Sequence, residues 1–235
     1  SYINPRNLAE QKAVFLGNPD YSPRFFYRKC ELNMAHFKNE LKKIPEVNHV
    51  LFPLYEKKIK EIETKLLLFE MHDSSEFGAV SKELFGGVSR TLYQAALRFL
   101  NTNKVEPDTS QELDTKRSAE ILKNFLKQHN LSHWKIKILE DSVADIQVTK
   151  KDYVLLKKGA KFQENRLNAL LAHEIGTHVF RFENGKRQPL RILERGTAGY
   201  LKTEEGLAVW NQNNLGLVLG EKSLTPAYLV VAIYM

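Results

Sequence analysis

The hexapeptide His173-Glu174-Ile175-Gly176-Thr177-His178 limits what this 235-residue chain can fold into more than any other stretch. It follows Leu167, Leu170 and Leu171, and the apolar spacing predicts one helix from Gln163 to Phe182, ended by Asn184-Gly185. Histidines four apart on a helix face one point, but these are five apart. At ~100° per residue, five steps turn the two rings about 140° from each other on a regular helix. Either the imidazoles serve separate purposes or the helix leaves α geometry. A π-bulge absorbs one extra residue, restores the shared facing and tends to occur at functional sites. Gly176 makes that distortion cheap. Two imidazoles converging beside a carboxylate have the chemistry of a zinc site. The bland alternative is a pair of buried histidines bonded to carbonyls.

A third ligand is available downstream in Thr203-Glu204-Glu205-Gly206-Leu207-Ala208. Thr203 suits an N-cap, and acidic residues in a first helical turn suit the macrodipole. Beyond that role, one of Glu204 and Glu205 would complete a His-His-Glu set and leave the fourth position for water. Gly206 would let two helices approach closely.

The rest of the chain reads as α+β, mostly helical, with a small antiparallel sheet beside the helix that carries the histidines. Helices are expected over Asn7 to Phe15, Met34 to Lys43, Leu54 to Met71, Glu76 to Leu84 and Ser89 to Leu100, with Arg24 to Tyr27 extended. Asn101 to Asp114 is polar and turn-like and is the best linker candidate. After a helix over Lys116 to His129 the period changes to two. Trp134-Ile136-Ile138, Ile146-Val148 and Tyr153 to Leu156 read as three short strands. A basic loop, a helix from Thr203 and a terminal helix complete the pattern. Ser223 and Pro226 mark the start of that last helix, whose apolar run stops at Met235. This reads as a chain that ends inside or just after a buried helix.

Charge and cysteine usage narrow the setting. With 35 Lys+Arg against 28 Asp+Glu the net charge is +7, and Arg181, Lys186, Arg187, Arg191, Arg195 and Lys202 concentrate it in one stretch. Such a patch attracts an acidic partner or a carboxylate. Nucleic acid is not indicated, since no phosphate-binding glycine loop or zinc-finger spacing occurs. No apolar run approaches the ~20 residues that span a bilayer, so no membrane partner is expected. The single cysteine, Cys30, excludes an intrachain disulfide and suggests a reducing, cytoplasmic setting. His36, His49, His72, His129 and His133 are scattered and read as surface or capping residues.

The motif block also resembles a known family. HEIGTH at 173–178, Arg181, Asn184-Gly185, Gln188-Pro189-Leu190, Gly196, Gly199-Tyr200 and Glu205-Gly206-Leu207-Ala208 follow in its order, as do Asn4-Pro5 and the Tyr21-x-Pro23-x-Phe25-x-Tyr27 pattern. This is similar to the QEGLA-motif proteins, named in bacteria for an effect on flavohaemoglobin expression. Their eukaryotic relatives include the microtubule-associated tyrosine carboxypeptidases. The name motif has Gln where this chain has Glu204. The resemblance implies one zinc ion held by His173, His178 and Glu205, with Glu174 as general base. It also implies a helical N-terminal part over residues 1–114 and a metallopeptidase core over 115–235, one catalytic domain truncated at its C-terminus. The substrate it implies is a peptide or protein C-terminal tail ending in tyrosine or another aromatic residue, with tubulin suggested by the family alone.

A carboxypeptidase needs a cation for the terminal carboxylate, and Arg grips one bidentately. Arg181, Arg191 and Arg195 lie between the metal motifs and are the candidates; Arg181 is equally placed to be a helix C-terminal charge. Tyr200 is positioned to donate to a tetrahedral oxyanion, or simply to pack in a loop. Two rival functions keep the same ligands: a zinc endopeptidase with an open cleft, and a non-catalytic, zinc-stabilised module that docks acidic protein tails.

Overall fold

Apolar residues between positions 113 and 182 build the core. Leu122, Leu126, Val154, Leu156, Phe162, Leu167, Ile175 and Val179 are each at most 1% exposed. The computed structural model describes residues 5–28, 31–71, 74–140, 142, 144–149 and 151–235; Asn4, Cys30 and His72 lie outside the described residues.

The architecture is α+β and mostly helical, as the period changes imply. Five helices come first: α1 (Leu8–Gly17), α2 (Met34–Lys42), α3 (Phe52–Glu70), α4 (Phe77–Phe85) and α5 (Arg90–Thr102). Side-chain caps fix two of their starts, with Asn33 accepting from the His36 N–H and Ser89 from the Leu92 N–H. Helices α2, α3 and α4 contain no buried residue. The stretch 24–27 forms no regular element and is tied back to α1 and the residue before it. Asn7 bonds Arg24 O at 2.8 Å and Phe26 N at 2.9 Å, and the buried Gln11 accepts from the Tyr21 hydroxyl and the Arg24 N–H.

The polar stretch after α5 is stitched to the start of the core. There β1 (Glu112–Leu113) pairs antiparallel with β5 (Phe162–Gln163), and Asn165 Nδ2 donates to Asp108 Oδ1. Next comes α6 (Thr115–Gln128), capped by Asp114. The three expected strands form at β2 (Lys135–Leu139), β3 (Ile146–Val148) and β4 (Tyr153–Lys157), in sheet order β2-β4-β3. β3 and β4 run antiparallel but β2 and β4 run parallel. The three-stranded sheet is therefore mixed, not antiparallel throughout. Alternation in sequence fixes which face a side chain takes and carries no information on strand direction.

A long helical rod crosses the core beside β3. It consists of α7 (Glu164–Leu170), a π-helical segment Leu171–Val179, and α8 (Phe180–Lys186). The rod runs past Asn184-Gly185, the expected stop. A Cβ on Gly185 would lie 2.4 Å from Leu193 O, so glycine there seats α9 (Ile192–Arg195) against α8. Helix α10 (Tyr200–Asn213) lies along the π segment. A 3-10 turn (Gly220–Leu224) leads into α11 (Thr225–Tyr234), which packs on α5 with Tyr93 and Tyr234 stacked at 4.2 Å. Ser223 donates to Gly220 O within that turn and does not cap α11. Only Ala227 of α11 is buried, so this is not the buried helix that its composition suggests. No helix among the described residues is long and apolar enough to cross a membrane.

Candidate metal centre

The π segment resolves the five-residue spacing. In an i→i+5 pattern five residues make little more than one turn, so His173 and His178 stack on one side of the rod. Their ring centroids are 5.2 Å apart, set edge to face. Two polar contacts pin this winding. Thr177, 2% exposed, donates its hydroxyl to Ala172 O at 3.1 Å, five residues back, and accepts from Asn211 Nδ2 of α10 at 2.9 Å.

Helix α10 delivers the third group. Its start lies at Gly199, in the left-handed region with φ 70°, so Thr203 falls inside the helix and caps nothing. Glu204 and Ala208 face the rod and are buried, while Glu205 points into the opening beside the histidines. Gly206 has open space around its Cα and mediates no helix contact; Ala208, fully buried, does.

Glu205 Oε2 lies 3.5 Å from His173 Nε2 and Glu205 Oε1 lies 3.7 Å from His178 Nε2. All three ligand atoms fall within 4.8 Å of one another. A tetrahedral zinc ion with bonds of about 2.0–2.1 Å holds its ligand atoms about 3.3–3.4 Å apart. The donor set and its spacing therefore fit a zinc ion. His173 Nδ1 is buried without a hydrogen-bond partner. The hydrogen bond to His173 holds the Glu205 carboxyl below the usual range, against the opposing effect of burial. Burial pushes the Glu174 carboxyl up and the Glu205 charge adds to this, while His173 and His178 partly offset it. A carboxyl raised in this way takes up a proton more readily at neutral pH.

Glu204 binds neither ring through a metal position. Its Oε1 meets His178 Nδ1 at 2.7 Å, and its Oε2 lies 3.0 Å from Arg181 Nε. Burial alone would pull the His178 imidazole down, but the Glu204 hydrogen bond and the charges of Glu205 and Glu174 outweigh it and raise its pKa. Burial likewise pushes the Glu204 carboxyl up, and His178 and Arg181 overcome it and bring it down.

The expected substrate groups fall in different places. Arg181 donates Nη1 to Leu193 O and Glu194 O, and its guanidinium sits 5.2 Å from the Tyr200 ring. Arg191 is exposed at the start of α9, and Arg195 pairs with Glu194 at 3.1 Å. Tyr200 packs over Gly196, where a Cβ would lie 2.4 Å from the ring, with Lys58 on the ring at 5.3 Å. Burial, reinforced by Glu204, raises the Tyr200 phenol.

Residues 14–213 match the microtubule-associated tyrosine carboxypeptidases. The chain belongs to that family. No curated protein and no solved structure matches the chain. Family membership covers the whole rod and α10, so both motif blocks of this microtubule-associated tyrosine carboxypeptidase relative lie inside the matched region.

Sequence reasoning missed two features. His133, Asp152 and Glu183 also bring ligand atoms within 4.8 Å, but the Lys186 ammonium already pairs with both carboxylates, 2.8 Å from Asp152 and 2.9 Å from Glu183. Glu61 of α3 accepts from the Gly199 N–H at 2.8 Å and anchors the start of α10. Nothing in the sequence pairs two residues so far apart, whereas Glu204 was signalled by its place directly before Glu205.

Proposed function

We propose that this chain is a zinc-dependent carboxypeptidase that hydrolyses the C-terminal peptide bond of a protein tail and releases tyrosine or another aromatic residue. The observation that carries this reading is the convergence of His173, His178 and Glu205 on one point, in a chain of the tyrosine carboxypeptidase family. His173 and His178 would hold the ion through Nε2 and Glu205 through its carboxylate. Zinc bound there supplies Lewis acidity for water activation and carbonyl polarisation. Glu174, adjacent to a ligand and raised by burial, takes the proton of the attacking water and passes it to the leaving amine. Arg191 and Arg195, exposed on α9, are the cations for the terminal carboxylate, and Tyr200 is the oxyanion donor. The substrate is an acidic tail, and the family name directs attention to tubulin in the cytoplasm.

Bound zinc per chain tests the site directly. About one zinc in the parent and little in His178→Ala is the expected outcome. Glu174→Gln should keep the zinc and lose hydrolysis by a factor of at least ~10². C-terminal amidation of a peptide should block its cleavage; undiminished cleavage would instead identify an endopeptidase.

A further inference from the structure

The side chains outside His178 carry one more assignment, which rests on the metal-site reading above. Glu204 is only 7% exposed. A carboxylate in that setting is costly unless its charge is paired. Oε1 takes the His178 Nδ1 hydrogen at 2.7 Å, and Oε2 faces Arg181 Nε at 3.0 Å as an ion pair. Donation from Nδ1 to the Glu204 carboxylate favours the tautomer whose Nε2, 3.7 Å from Glu205 Oε1, keeps its lone pair for a metal. Arg181 is itself held, donating to the backbone carbonyls of Leu193 at 3.3 Å and Glu194 at 2.8 Å. The chain of contacts thus runs from a metal ligand on the rod, through α10, to the backbone of α9.

We infer that Glu204 and Arg181 are positioning residues for the metal ligand His178, and that Arg181 serves the metal site from outside instead of gripping the substrate's terminal carboxylate. A carboxylate is the group this position needs. Glutamine at 204 could accept from His178 with its carbonyl oxygen, but it would bring no charge to pair with the Arg181 guanidinium. The three-residue relay therefore acts as a unit, and either end loses its purpose without the middle.

The test is the zinc dissociation constant, measured by competition with a chromophoric chelator, for the parent, Glu204→Ala, Glu204→Gln, Arg181→Met and the double variant Glu204→Gln/Arg181→Met. Glu204→Ala should weaken zinc binding by about 10- to 100-fold. Glu204→Gln and Arg181→Met should each weaken it by a smaller factor, and the double variant should be no weaker than the worse single. With a C-terminal peptide substrate, Arg181→Met should lower kcat and leave KM unchanged. Parent-like zinc affinity in Glu204→Ala would overturn the inference and reduce Glu204 to a packing role. A raised KM in Arg181→Met with unchanged zinc affinity would overturn it too and make Arg181 the carboxylate clamp. A parent that binds no zinc would remove the metal-site reading itself, and the relay with it. The parent titration alone separates that failure from the other two.

Discussion

Charge in a half-buried place persists only where donors surround it, and Glu61 has three. Lys58 lies at 2.8 Å, Lys65 at 2.6 Å and the Gly199 N–H at 2.8 Å. Burial pushes the Glu61 carboxyl up, but these donors together outweigh it and bring it from 4.5 to about 2. A carboxyl lowered on folding stabilises the protein fully above its unfolded value, and that contribution disappears as pH falls through the folded one. The window here runs from 4.5 down to about 2. Glu61→Gln should therefore cost about 1–2 kcal/mol at neutral pH, since part of the cluster is solvent-screened. Thermal melts of parent and variant should converge as the pH approaches 2. A deficit that stays constant across that range would show that shape, not charge, is what Glu61 supplies. At the same scale, residue type and spacing single out His173 and His178 and leave Glu204 and Glu205 as alternatives for the third group, the family resemblance favours Glu205, and the fold brings Glu205 beside both rings. Glu61 was not legible, because its partner is a backbone N–H in a distant loop.

Among the elements, the π segment sets the positions of the two rings, and its own sequence carried a second sign of it. Leu167, Leu171, Ile175 and Val179 are all at most 5% exposed and recur at strict fours. On an ideal α-helix each such step drifts about 40°, so the stripe would wind off the core within three steps. An underwound helix keeps it facing inward. Thr177 holds that winding through two hydrogen bonds. Thr177→Val should cost about 1–3 kcal/mol, because Asn211 Nδ2 loses its acceptor in a partly buried place. Thr177→Ser should restore most of it. Urea unfolding midpoints measure both, and equal midpoints for parent and Thr177→Val would show that the winding needs no pin. Other elements were less readable. Strand direction has no period, so the parallel pairing of β2 with β4 emerges only from the fold. The start of α10 depends on a left-handed glycine held by Glu61, so local capping rules, which favour Thr203 over Gly199, set it too late.

Across the whole molecule, burial is uneven. The continuous core runs from Leu113 to Phe182, while α2, α3 and α4 bury no residue completely. Local opening follows contact density, so amide exchange should be slowest in β4 and residues 167–179 and fastest in α2 and α4. Hydrogen-exchange mass spectrometry measures this gradient; uniform protection would contradict it. Fold class and the core helix were readable at this scale because period and composition are properties of long windows. The looseness of the first helices was not, since their apolar content matches that of helices that pack well. The winding of the rod has one last consequence, for anyone who would copy this centre. Transferring the three ligand identities onto a straight, ideally coiled scaffold would carry over the letters without the pitch. The imidazoles would then look in different directions, and the graft would bind nothing. The portable unit is the underwound turn together with the neighbouring helix that braces it, and a pattern search tuned to evenly wound helices will pass over every site built this way.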